Sequence, residues 1–399
     1  MSILSKEILE NVVGDISQAY NTWLNQSAIV SPQDILTRRK YMRGLKCFIK
    51  TMIGLFIKPH FNKEKEIYIF EGLRNKYYMA AFSSDSIVIV GSHVEKEYAN
   101  ANGYGFCWSF PIESGIHSKI SKGWNYPAIR QLLYWVDKLS IFSKVTFFLY
   151  EDTQPLGLFM VHLSRLLHPN VSTVCIQHGY FGKQRGQSRR ADGTYSDINF
   201  ILDQRQAKFL GSNRQKSYVI GLPYVATAKP SNELQVVLVG LGGASDGTVW
   251  FERTINTYIL IRKILSNISG VKVLYRPHPN EYNDEKLLVE LSNRFLLVDE
   301  PNKVKQLNGP RAIFIGVASS LLYEAGIAGH HVAYFNLYLN VRPEFDFDFE
   351  FKENEINELM QWVLSIKNNN NFGDKSLIVN QLDPLERFNL ALREAKLIV

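Results

Sequence analysis

Cysteine is scarce in this chain: Cys47, Cys107 and Cys175 are the only three in 399 residues. They lack metal-ligand spacing and an odd number cannot all pair, which argues against a zinc site or disulfide framework and for a reducing cytosol. Long apolar runs are missing too. No charge-free stretch approaches the roughly 18 residues a spanning helix needs. The opening MSILSKEILENVVGD carries acidic residues early and offers no small-residue cleavage site, so it does not read as a secretory signal. The expectation is a cytoplasmic protein, soluble or held at the inner face of the cytoplasmic membrane. No basic run is interleaved with aromatics, and no zinc or helix-turn-helix signature is present, so nucleic acid is not an expected partner. The glycine-rich GLGGASDGT has the spacing GxGG rather than GxGxxG, and no acidic residue ends a second strand about 20 residues on, which speaks against NAD. No DxD-type acidic signature that would hold a metal is read in the sequence, and no cofactor is expected.

What is present suits two ordinary α/β domains. Hydrophobic residues make up 46% of the chain, enough to bury two cores. Lys and Arg number 45 against 38 Asp and Glu, for a net charge of +7, which favours an anionic partner such as a nucleotide phosphate, an acidic glycan or an anionic lipid. In LKCFIKTMIGLFIKPHF, residues Leu45, Phe48, Ile49, Met52, Ile53 and Phe56 share one helical face beside Arg43, Lys46 and Lys50. That face fits either a core helix with a solvated basic flank or peripheral contact with an anionic membrane.

The stretch VKVLYRPHPNEY, residues 271–282, organises the later half. Val271, Val273 and Leu274 read as a buried strand that two prolines terminate. Arg276, His278, Asn280 and Glu281 then fall at the carboxyl end of that strand, where open α/β sheets place their ligands. A guanidinium fork and an imidazole on a stiff turn suit a phosphate, or else a surface ion pair and a gap-filling ring. One unit later, RAIFI reads as a second strand, followed by GVASS and the helical LLYEAGIAG. Ser319 and Ser320 therefore stand at a helix start, as an ordinary cap or as an anion site. Both loops should open on one edge of one parallel sheet. Glu324, about a turn into the helix, would reach a ribose hydroxyl or face solvent. Ahead of these, Gly240, Gly242 and Gly243 permit close backbone approach to a phosphate, with Ser245 and Thr248 as donors.

In the earlier half, a polar helix to about Asn25 is followed by a helix start at Ser31, Pro32 and Asp34. Strands are expected at 65–70, 87–90, 144–150, 171–176 and 198–203. The loops after the first two, with Glu71, Arg74, Asn75, His93 and Glu95, are where an acceptor would be held, without individual roles assigned. The third strand ends in Glu151-Asp152, either a general base for an attacking sugar hydroxyl or a cap for the helix beginning near Pro155. The fourth ends in Gln177-His178-Gly179, where the glycine lets the imidazole project. His178 is a second candidate base.

RPHPNE, LLVDEP and the SS-LLYEA segment together resemble the carboxyl-terminal domain of bacterial two-Rossmann transferases, of GT-B type, that build capsule, O-antigen and teichoic-acid polymers. The resemblance spans about Gln177 to Asn336 and implies a fold of two Rossmann-like domains facing a cleft. It implies that the His-Pro motif and the serine pair grip the cytidine nucleotide of a CMP-sugar or CDP-polyol donor. The expected activity is metal-independent transfer of a nonulosonate, sialic acid or Kdo, from a CMP-linked donor to a surface glycan or glycolipid. A CDP-polyol phosphotransferase and a nucleotide-sugar 2-epimerase are the alternatives. Donor binding is expected at Arg276, His278, Ser319, Ser320, Glu324, Gly242, Gly243 and Ser245, and catalysis at His178, Glu151 or Asp152. An acidic pair followed directly by glycine is the family pattern; here Thr153 follows, and Gly157 comes later. The expected layout is an acceptor domain over 1–222, a linker over 223–233, a donor domain over 234–380, and a last helix over 381–399 that crosses back.

Overall fold

The computed structural model describes residues 6–26, 66–74, 76–82, 86–123, 125–177, 183–184, 195–209, 216–240, 249–317, 319–337, 341–342, 345–368 and 383–398. The expected helix start at Ser31, the apolar face from Leu45 to Phe56, Asn75, His178, Gly242, Gly243, Ser245 and Thr248 lie outside these residues. The chain divides into two compact units, one of Met1–His178, Gln187–Pro223 and Leu385–Val399, the other of Gly179–Gly186 and Tyr224–Pro384.

The first unit is built on a parallel sheet of seven strands. These are β1 (Glu66–Glu71), β2 (Ser86–Val90), β3 (Gly105–Trp108), β4 (Lys144–Leu149), β5 (Val171–Ile176), β7 (Ile198–Ile201) and β8 (Lys216–Val219), while β6 (Lys183–Gln184) belongs to the second unit. Their spatial order is β3-β2-β1-β4-β5-β7-β8. Side chains alternate across the sheet, so Ile67 and Ile69 point to one face and Phe70 to the other. Both faces are covered, which is why the strands read as near-continuous apolar runs. Leu9, Val13 and Ile16 of the helix Lys6–Gln26 pack on the first face with the helices Phe110–Lys122, Tyr126–Leu139 and Pro155–Leu167. The second face carries the last helix, Pro384–Glu394, through Phe388, Ala391 and Leu392. Arg387 ties that helix down by donating from Nε to the Ile220 carbonyl and from Nη2 to the Leu222 carbonyl, both at 2.9 Å.

The second unit holds a parallel sheet of β9 (Leu234–Val239), β10 (Val271–Arg276), β11 (Ala312–Gly316), β12 (His331–Phe335) and, after the short β13 (Val341–Arg342), β14 (Phe349–Phe351). The order is β10-β9-β11-β12-β14, and β13 pairs antiparallel with β6. Its core joins Val236, Leu238, Tyr275, Ile313 and Phe335 to Ile255, Tyr258 and Ile261 of the helix Val249–Leu265.

Each sheet has one place where the chain's winding reverses. In the first unit it falls between β1 and β4, and in the second between β9 and β11, matching the two common doubly wound orders. Ligands of such sheets bind outside the carboxyl ends of the strands at that reversal. Among the described residues no helix is long and apolar enough to cross a membrane.

Candidate functional site

In the second unit Arg276, His278, Ser319 and Ser320, among the expected donor residues, lie along the carboxyl edge around the reversal. Arg276 is the last residue of β10, and the helix Pro279–Tyr282 follows at once, with His278 as its cap. The Asn280 N–H donates to His278 Nδ1 at 3.2 Å. That bond requires a lone pair on Nδ1, so the neutral ring carries its proton on Nε2 and presents an N–H donor. Burial draws the His278 pKa below its ordinary value, opposed by the Glu281 carboxylate and reinforced by Arg276. A buried carboxylate fixes the turn beneath: Glu281 Oε2 accepts from the Tyr275 hydroxyl at 2.9 Å and from the His278 N–H at 2.8 Å.

Arg276 is buried and partly committed. It donates from Nη1 to Gln306 Oε1 at 2.6 Å and more weakly to the Glu300 carbonyl at 3.4 Å, and from Nη2 to the Pro301 carbonyl at 3.1 Å. Of its five N–H groups, the Nε–H and one on Nη2 keep no partner among the described residues. Nε and Nη2 are neighbours on the guanidinium fork, an edge that can grip one pair of phosphate oxygens. Tyr282, which sequence reasoning left without a role, adds a buried hydroxyl with no hydrogen-bond partner among the described residues. It lies near enough to Arg276 to influence its charge.

The helix Ser320–Ile327 begins one strand past the reversal. Ser319 caps it, its Oγ accepting from the Leu321 N–H at 3.3 Å. Because β9 lies between β10 and β11, the Arg276 and Ser319 loops leave the sheet about 10 Å apart. Gly240 directly follows β9 between them. Glu324 is buried, and its Oε2 receives the Tyr224 hydroxyl and, at 2.7 Å, the Lys303 ammonium. Among the described residues its Oε1 alone has no such partner.

The first unit has its own concavity, a cavity of about 560 Å³ at the reversal between β1 and β4. Glu71, at the end of β1, and Tyr150 and Glu151, just past β4, line it with Glu95, Glu113 and Arg74. Glu71 is 4% exposed, and its Oε2 accepts the Tyr150 N–H at 3.1 Å and, more weakly, the Glu151 N–H at 3.5 Å. Its Oε1 has no donor among the described residues. Burial pushes this carboxyl up to about 8, against those two N–H groups and with the help of the Glu151 and Asp152 charges. The Arg74 guanidinium stands 4.4 Å over the Tyr150 ring.

The acidic pair of the sequence divides. Glu151 faces the cavity and accepts from Gln154 Nε2 at 3.2 Å. Asp152 is fully buried, its Oδ2 accepting from the Tyr195 and Ser196 N–H groups at 2.7 Å and from Ser196 Oγ at 2.8 Å. Asp152 thus fastens the 195–196 turn. It does not cap the following helix either, since Gln154 holds that position without a side-chain bond. One acidic spacing went unread: Asp346-Phe347-Asp348 is a D-x-D sequence. Asp348 Oδ2 there accepts the Val332 N–H at 2.8 Å and stands 3.7 Å from His331 Nδ1. Among the described residues no group of three or more His, Cys, Asp or Glu converges as a metal site.

No family model matches the sequence, and no curated protein matches it. Solved structures do. A UDP-N-acetylglucosamine 2-epimerase described as putative, from Listeria monocytogenes, is 11% identical, with a TM-score of 0.51 over 84% of this chain and 97% of its own. The S. aureus MnaA–UDP complex is 13% identical, with a TM-score of 0.52 over 84% of this chain and 98% of its own. At that identity the likeness establishes the fold, and the fold is the α/β architecture of two Rossmann-like units expected from the sequence.

Proposed function

We propose that the chain is a nucleotide-sugar-dependent glycosyltransferase whose second unit holds the donor. The observation that carries this reading is the set of donors at the reversal of the second sheet: His278 with its Nε2–H, the residual Arg276 N–H pair, the Tyr282 hydroxyl and the Ser319 helix start. Such groups favour the charge that grows on a leaving phosphate, and they do so without reorganising at the moment of reaction. Ser320 belongs to the same helix start, and Gly240 keeps the β9 end bare for backbone approach. An expected base is Glu151, which faces the first unit's cavity. The alternatives were His178, outside the described residues, and Asp152, whose carboxylate is committed to the 195–196 turn.

The donor nucleotide is taken as cytidine on the RPHPNE and serine-pair resemblance, with a nonulosonate as the sugar and a glycan or glycolipid as acceptor. A nucleotide-sugar 2-epimerase is the second reading, because both structures of this fold reported above are described as 2-epimerases or as a UDP complex. Peripheral contact with an anionic membrane through Leu45–Phe56 belongs to the transferase reading.

Incubating purified chain with CMP-sialic acid, CMP-Kdo or UDP-N-acetylglucosamine and a mixed glycan acceptor decides between them. Transfer that survives EDTA is the expected result, since side chains and a helix start supply the positive field. Abolition by EDTA contradicts that assignment, and sugar epimerisation with no acceptor present favours the second reading.

A further inference from the structure

We propose that Gln306 is a positioning residue of the second unit, holding the Arg276 guanidinium through a neutral oxygen so that its charge is fixed in place yet uncancelled for an anionic ligand. The inference rests on the transferase reading and adds to it the residue that aims the phosphate contact. Arg276 is buried, where a charge is costly unless it is hydrogen-bonded. All three of its acceptors are neutral: Gln306 Oε1 at 2.6 Å, the Pro301 carbonyl at 3.1 Å and, weakly, the Glu300 carbonyl at 3.4 Å. A carboxylate in any of those places would commit the charge to an ion pair. Since a guanidinium only donates, the half-buried Gln306 amide must turn its oxygen to Arg276.

Glu324 and Glu300 bring carboxylates near enough to influence Arg276, and both are answered by other groups. Glu324 Oε2 has the Tyr224 hydroxyl and, at 2.7 Å, the Lys303 ammonium. Glu300 turns back on its own loop, where Oε1 accepts the Asn302 N–H at 2.8 Å and Oε2 stands 3.8 Å from Lys305 Nζ. Lys303 and Gln306 lie three apart on the helix Lys303–Leu307 and so share a face. A single turn therefore answers the Glu324 carboxylate and holds the arginine. That turn is braced at both ends. Asn302 caps it, its Oδ1 accepting the Lys305 N–H at 3.1 Å. At the other end the fully buried His330 accepts the Ala312 N–H on Nδ1 at 3.1 Å, which leaves the proton of the neutral ring on Nε2 to donate to the Leu307 carbonyl at 3.0 Å. Gln306 thus sets the guanidinium from a fixed base.

The test uses the full chain labelled with nitrogen-15 arginine and titrated with CMP, CDP and UDP. The guanidinium signals missing from Arg276→Lys belong to Arg276. With no nucleotide present they should be resolved by restricted rotation in the parent and averaged in Gln306→Met. Signals averaged in the parent, or unchanged in Gln306→Met, overturn the proposal. Gln306→Met removes the oxygen at nearly unchanged volume, and it should weaken the tightest-binding nucleotide about tenfold. In an Arg276→Ala background the same change should alter affinity less than twofold, because a positioning residue acts through the residue it positions. Equal losses in the two backgrounds point to a general structural role and overturn it as well. Gln306→Glu keeps an oxygen in place but pairs the charge, so it too should weaken binding about tenfold while the arginine signals stay resolved. Parent-like binding in that variant shows that the acceptor need not be neutral and contradicts the proposal. Failure of all three nucleotides to bind the parent overturns the transferase reading, while the arginine signals still decide what Gln306 does.

Discussion

Replacing Gly240 by Ala should destabilise the second unit by about 3 kcal/mol and weaken nucleotide binding at the same time. A β-carbon there would lie 2.4 Å from Glu281 Oε2, 2.7 Å from the His278 nitrogen and 2.9 Å from the Tyr275 hydroxyl oxygen. The backbone cannot retreat, since the Gly240 N–H is bonded to the Arg276 carbonyl at 2.9 Å. The carboxylate must therefore give way, and it is the shared acceptor of both Tyr275 and His278. Overpacking costs roughly 1–3 kcal/mol and a displaced hydrogen bond to a carboxylate about as much again. For a unit of this size the loss corresponds to roughly 6–12 °C in melting temperature. Because His278 takes its place from the same carboxylate, its Nε2–H shifts with it. Calorimetric melting and nucleotide titration of the variant check both halves. An unchanged melt with unchanged binding would mean that Glu281 does not position the turn.

Phe388→Ala should cost the first unit about 3–5 kcal/mol, the range for a buried phenylalanine whose cavity cannot collapse. Phe388 is fully buried, stacked on Tyr78 at 4.3 Å between ring centroids and set edge-on against Phe200 at 5.4 Å. Phe82 and Phe148 each stand 6.1 Å away. All four rings precede Tyr224 in sequence whereas Phe388 follows Pro384, so the last helix closes a core that the earlier chain leaves open on one face. Urea denaturation of the parent and the variant measures the effect. A loss under 1 kcal/mol would show that the helix adds little to that core.

The strands that bear the expected donor residues were legible because buried parallel strands read as apolar runs and prolines mark their ends, as in VKVLYRPHP. The Ser319 cap was legible for a similar reason, since capping is a local event. Where burial and strand order decide, the sequence is silent. β3, GFCW, is a four-residue edge strand whose side chains are mostly half-buried, too short for a period to show. The importance of Glu71 depends on β1 lying beside β4, whose loop is about 80 residues further on. Nothing at Asp152 itself indicates that Tyr195 and Ser196, more than 40 residues away, consume its carboxylate. Glu324 likewise meets Tyr224 across 100 residues. The local readings placed Glu71 and Asp152 at the carboxyl ends of strands and Glu324 in the helix after one, and the long-range contacts decided which of their carboxylates hold hydrogen bonds elsewhere in the fold.

The central claim is that the second unit binds a nucleotide through the turn capped by His278. Isothermal titration of the full chain with CMP, CDP and UDP, repeated on His278→Ala, tests it most directly. The account predicts saturable one-to-one binding of at least one of the three, weakened about tenfold or more in the variant, as expected for loss of a hydrogen bond to a charged phosphate. No saturable binding by any of them, or equal affinity in parent and variant, would contradict it.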